Sequence, residues 1–327
     1  MARLVFWGLL SVLLYGGYWF GAARAVEQAV VTAAEDMGQD TWQVSYDSFD
    51  TSGFPGAFNL RASEVGIVAP YGTWAWQGPE LNATAPGFRP SNVTVTLPET
   101  QVMRLTGQTL RLDAGRFVIA AATKLNMALS FERMSVDISK GAVQSDQGWR
   151  AGLGEGNTFL TKQEGQERTY DLGLNARDLM LPSNLVLQTG FLPETVDQID
   201  LGAKVTLNRE LDRFALDGTG SRAMVERIVL RRFDLLWGDI ALDAMGSLDV
   251  DEDGRPEGRI TLRTADWLEV IDALVAVGMI DAGVAPTMTN MASAMVGADG
   301  VLELPVTFRD GFMSMGLLPL GPAPLLR

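Results

Sequence analysis

The chain has 327 residues, with 26 Lys plus Arg against 40 Asp plus Glu, a formal net charge of −14, and neither Cys nor His. Recognition of phosphate backbones runs through clustered Lys and Arg, so this acidic balance excludes nucleic acid as a partner. The missing Cys and His exclude disulfides, thiol chemistry, imidazole bases and every zinc site that needs either side chain.

The chain begins Met1-Ala2-Arg3 and then runs uncharged and mostly apolar from Leu4 to Ala23, closed by Arg24. At about 1.5 Å per residue that run reaches roughly 30 Å, the hydrocarbon thickness of a bilayer. Tyr18, Trp19 and Phe20 near its end suit the headgroup level, with Arg3 and Arg24 as the flanking charges. A secretory signal has a shorter apolar core and small residues before its cleavage point, whereas bulky rings stand here, so the run reads as an uncleaved signal anchor. A cleaved signal ending near Gly21-Ala22-Ala23 is the alternative. The expected topology is single-pass in the inner membrane, N-terminus inside and bulk in the periplasm. Residues 1–24 form the anchor, and 25–38 a juxtamembrane helix carrying Val26, Ala29, Val30 and Ala33 at helical spacing. Residues 39–327 form a periplasmic β-rich domain.

Past Gly38 the dominant period is two. Val93-Val95-Leu97, Tyr170-Leu172-Leu174, the odd residues from Ile199 to Leu207, the even ones from Ile240 to Val250, and Leu302-Leu304-Val306-Phe308 each predict a strand with one buried and one wet face. Met127, Leu129 and Phe131 alternate on odd numbers and Met134, Val136 and Ile138 on even ones, which predicts a bulge or tight turn at Glu132-Arg133. Gly152-Leu-Gly154-Glu-Gly156 reads as a flexible loop, lacking the spacing and the following helix of a dinucleotide fingerprint. Turns fall at Pro70-Tyr71-Gly72, Pro86-Gly87, Gln147-Gly148, Asp253-Gly254 and Asp310-Gly311, the last a strong hairpin signal. Between the last strand pairs lies a helical hairpin, about residues 266–297. Asp266 and Glu269 make a capping-box-like start, and Met288, Met291 and Met295 fall on its second helix. The predicted fold is mainly β: a large curved or two-layer antiparallel sheet with one helical hairpin insertion and an N-terminal transmembrane helix.

No chemistry is spelled out. None of the four Lys stands three residues after a Ser, no G-x-S-x-G elbow occurs, and no Gly precedes a Lys as a phosphate-binding loop requires. Asp249, Asp251, Asp253 and Gly254 match half of a calcium loop, but the twelfth position is Ile260, so a solvated hairpin tip explains them. No enzyme activity, metal or cofactor is expected. The aromatic residues Phe54, Phe58, Trp74, Trp76 and Trp237 are the candidate ligand contacts, lining an apolar groove or else filling a core.

Leu14-Tyr-Gly-Gly-Tyr-Trp-Phe20, Gly53-Phe-Pro-Gly-Ala-Phe58, Trp74-Ala-Trp76, Tyr170-Asp-Leu-Gly-Leu174, Leu236-Trp-Gly-Asp239, Leu304-Pro-Val-Thr-Phe-Arg-Asp-Gly311 and the tail from Gly316 to Arg327 resemble a family of Gram-negative envelope proteins, domain of unknown function twenty-one twenty-five. That resemblance implies no activity and no catalytic residues. The strand-Asp-Gly-strand phrases around Asp253 and Asp310 are more loosely similar to membrane-anchored β-rich proteins of the AsmA kind, which implies curved sheets with an apolar face and a link to lipid traffic. The expected function is membrane-tethered, non-catalytic binding or handling of a lipid or other apolar envelope component. The alternative is a structural or adaptor protein of the envelope with a self-packed β core.

Overall fold

The structure is a computed structural model that describes residues 24, 42–182, 193–216, 223–276, 282–315 and 318–326. The expected anchor with Arg3, Tyr18, Trp19 and Phe20, and the juxtamembrane helix after it, lie outside these residues. Arg24 is exposed. Among the described residues no helix is long and apolar enough to cross a membrane. Eighteen strands are described, and every pairing whose register is defined is antiparallel, so the expected mainly β class holds. The chain divides into two compact units, Met1–Ala122 with Val143–Gly148, and Thr123–Ala142 with Trp149–Arg327.

The first unit is built on two long strands, β3 (Ala57–Val68) and β4 (Trp74–Pro86), joined by a tight turn over Pro70–Gly72. β1 (Gln43–Ser45) and β2 (Ser48–Ser52) pair in succession along the free edge of β3. β4 pairs with β5 (Asn92–Thr96) near one end and with β6 (Thr100–Leu105) near the other. Pro98, which has no N–H to offer a ladder, stands in the break between β5 and β6. β7 (Gln108–Asp113) then pairs with β6, and β8 (Arg116–Thr123) with β5.

Phe58–Ala85, Leu60–Ala83 and Ala62–Leu81 are apolar cross-strand pairs, and beyond Glu64 the apolar phase shifts by one, to Val65–Gly78 and Ile67–Trp76. Glu64 has a φ of 48°, and this left-handed residue inside the strand re-phases it so that the same face stays apolar.

The second unit is a meander. β9 (Phe131–Ser145), β10 (Arg150–Lys162), β11 (Thr169–Met180), β12 (Thr195–Leu207), β13 (Val225–Trp237), β14 (Ile240–Val250), β15 (Pro256–Thr264), β16 (Leu302–Arg309), β17 (Phe312–Met315) and β18 (Leu318–Pro322) each pair with the next. The helical hairpin, α1 (Trp267–Ala276) and α2 (Ala285–Met295), is inserted between β15 and β16, which still pair directly. Leu302 is wholly buried against Ile271 of α1 and Ala292 of α2, with Trp267 and Leu304 packed around them. The Asp266 carboxylate accepts a 2.9 Å hydrogen bond from Ala241 N, which pins the start of α1 to the start of β14.

Two expectations are corrected. Gly152-Leu-Gly154-Glu-Gly156 is the interior of β10 and not a loop. Its glycines admit close neighbours: a Cβ on Gly154 would stand 2.8 Å from Asp178 Oδ2. The phase change near Glu132-Arg133 is not a turn, since both residues lie inside β9. Met127 and Leu129 belong to the turn before β9, with Leu129 at a φ of 47°, so the odd-numbered apolar residues before Phe131 are not part of the strand.

Candidate functional site

Read across the second unit, the strand registers stack like with like. One row runs Thr158, Leu174, Leu201, Phe233, Ala244, Leu262, Leu304 from β10 to β16. The next runs Leu160, Leu172, Ala203, Leu230, Gly246, Ile260, Val306, Met315. A third runs Lys162, Tyr170, Val205, Ile228, Leu248, Gly258, Phe308, Met313. Successive side chains of a strand point to opposite faces, so these alternate rows share one face and make it continuously apolar. Tyr170, Ala203, Ala244, Leu248 and Met315 are buried, most of the other apolar side chains are half-buried, and Leu174 remains 39% exposed. α1 and α2 cover this face at Leu302 and Leu304.

The opposite face carries a polar row, Asn157, Asn175, Asp200, Asp234, Asp243, Arg263, Glu303. Asn175 and Gln198 donate to Asp200, Arg232 bridges Asp200 at 3.2 Å and pairs with Asp234, and Arg263 reaches Glu303 at 3.0 Å. The Gln198 and Asn175 hydrogen bonds and the Arg232 charge hold the Asp200 carboxyl below its ordinary value. Asp243 is pushed up by desolvation and by its neighbour Asp234 directly opposite on β13.

A bulge keeps the two faces apart. In β13 the apolar phase runs on Ile228 and Leu230, then on Phe233 and Leu235, and the registers to β12 and β14 both shift between them. The extra residue puts the adjacent Arg231 and Arg232 both within reach of carboxylates, Asp171 at 3.1 Å and Asp200 at 3.2 Å. The phase change is visible in Ile228-Val-Leu230-Arg-Arg-Phe233 and was the signal available for it.

Lys162 is the charged exception on the apolar face. It stands opposite Tyr170, with its ammonium on Glu210, and its side chain is 11% exposed. Tyr170 is wholly buried, accepts a 2.8 Å hydrogen bond from Leu211 N and packs edge-on against Phe131, and burial pushes its phenol up. Beside them the start of β9, the end of β10 and the following turn border an open surface hollow of about 610 Å³. Lys124, Glu132, Arg133, Thr161, Lys162, Gln163, Glu164, Gly165, Gln166 and Glu167 line it, and sequence patterning assigned none of them to a ligand. The first unit holds a smaller hollow of about 320 Å³, with Glu64, Gly66, Gly78 and Gln101 in its wall.

The five candidate aromatic contacts are dispersed. Phe54, Phe58, Trp74 and Trp76 belong to the first unit and Trp237 to the second. Phe54 is 46% exposed in the turn before β3, whereas Phe58 on β3 is buried. Trp76 is buried, and its indole N–H donates to Gln101 Oε1. Trp74 is half-buried and meets Trp42 edge-on at 5.4 Å. Trp237 closes β13 and donates a 2.9 Å hydrogen bond to Pro193 O. At the Asp253-Gly254 hairpin, Asp251 Oδ1 accepts from the Asp253 and Arg255 backbones and Asp253 pairs with Arg255.

A family model described as an uncharacterized protein conserved in bacteria, DUF2125, matches residues 19–324. The chain belongs to that family. No curated protein and no solved structure matches it. The family description names no activity, so the rows and the hollow are the features of the described residues that carry a functional argument.

Proposed function

We propose that this is a membrane-anchored envelope protein, held at the inner membrane with its bulk in the periplasm, that binds an acyl chain without catalysis. One observation carries the reading: three adjacent apolar rows cross seven or eight strands of the second unit, and many of their side chains are only partly buried. An apolar face that a monomer leaves partly open to solvent beyond a few hundred Å² tends to mark a binding surface. The uncharged Leu4 to Ala23 run supports the tether, which would bring that face within reach of lipid.

The test is native mass spectrometry of the full chain released gently from micelles with added palmitate. The wild type should carry a palmitate adduct, and Leu174→Asp should lose it with its melting temperature little changed, because Leu174 is 39% exposed. A wild type with no adduct would favour the adaptor reading, in which the rows merely pack on protein.

A further inference from the structure

The hollow beside Lys162 has a charge pattern that selects one class of ligand. Of its cations, Lys162 is engaged by Glu210, while Lys124 and Arg133 make no ion pair among the described residues. Glu132, Glu164 and Glu167 line the same hollow and are likewise without a cation among the described residues. The carboxamide Oε1 of Gln163 is shielded from solvent and has no protein donor. Two open cations suit a phosphate, since charge-assisted hydrogen bonds to phosphate oxygens are the strong ones. Open carboxylates beside a donor-less amide oxygen suit an ammonium. A purely anionic head would meet the acids, and a purely cationic one the bases. Lys162 ties the hollow to the face, because it occupies the β10 position of the third apolar row, in line with Tyr170, Val205 and Ile228.

From this we infer that the hollow binds a phosphate that carries an ammonium group, the chemistry of a phosphoethanolamine head. The lipid form of that ligand rests on the acyl-chain reading above: its head would sit in the hollow and its chain along the rows.

The test uses the full chain in micelles and native mass spectrometry with three probes: dipalmitoyl phosphatidylethanolamine, the phosphatidylglycerol with the same chains, and free O-phosphoethanolamine. The expected result is retention of the ethanolamine lipid about tenfold over the glycerol lipid, the size of one charge-assisted contact. Arg133→Ala should weaken retention of both lipids, which share the phosphate, and keep the preference, whereas the pair Glu164→Gln with Glu167→Gln should turn the preference toward the anionic lipid, a reversal that loss of structure would not produce. Equal retention of both lipids would overturn the inference while leaving the acyl reading intact. Binding of free phosphoethanolamine as tight as that of its lipid, with no palmitate adduct, would keep the head-group chemistry and overturn the lipid source.

Discussion

The indole Nε1 of Trp76 on β4 donates a 2.7 Å hydrogen bond to Oε1 of Gln101 on β6, and both residues are buried. Trp76 lies opposite Met103, so Gln101 is its diagonal neighbour, and the Gln101 amide also donates to Pro98 O at 3.0 Å. The pair therefore closes the sheet of the first unit where β5 and β6 part. Trp76→Phe removes the donor and leaves a buried carbonyl oxygen unpaired, which should cost about 1–3 kcal/mol in thermal unfolding followed by circular dichroism. Trp76→Glu buries an unpaired charge and should unfold the first unit outright, since several kcal/mol is on the order of total stability. A folded Trp76→Glu protein would place this ring in a groove instead of a core.

Gly246 and Gly258 lie on the apolar rows at φ values of 159° and 142°. A Cβ on Gly246 would stand 2.2 Å from Arg259 O, and one on Gly258 would stand 2.3 Å from Ser247 O. These atoms are backbone of the paired strand and have little room to yield. Either change to Ala should destabilise the second unit by about 1–3 kcal/mol. Gly56→Ala, where no atom lies within 4 Å, should leave the melting temperature nearly unchanged.

Asp200 gives the polar face a pH dependence. Its folded-state carboxyl is held below the ordinary value by Gln198, Asn175 and Arg232. The stability it contributes is therefore present above the ordinary carboxylate pKa of about 4 and is lost as the pH falls through the depressed one. Asp200→Asn should flatten that acid limb of the melting-temperature profile and leave its shape above about pH 5 unchanged. An identical acid limb in the variant would show that Asp200 has no such role.

Much of the β architecture is legible in the residues. The alternations from Ile199 to Leu207 and from Ile240 to Val250 are read correctly because one face is apolar and the other polar, which is the condition that also fixes register. Asp310-Gly311 forms a two-residue turn with both φ values positive, as its chemistry requires. Gly152 to Gly156 is misread because glycine-rich sequence signals a loop locally, while close cross-strand neighbours such as Asp178 are invisible in sequence. The hollow is hidden for a similar reason. Lys124, Arg133 and Glu167 are ordinary surface charges in sequence and are gathered only by the pairing of β9 with β10. Lys162 alone left a trace, a lysine in the apolar phase set by Leu160. Gln101 left none, because a buried amide looks like any polar residue until its partner is known.

The acyl-chain reading is tested most directly by a palmitate carrying a photoreactive diazirine, bound to the full chain, cross-linked and mapped by peptide mass spectrometry. Labelling should concentrate on the apolar rows, at Leu172, Leu174, Leu201 and Phe233, and spare Phe159, Leu236 and Met245, which are exposed apolar side chains on the polar face. Equal labelling of both faces, or none on the rows, would contradict it.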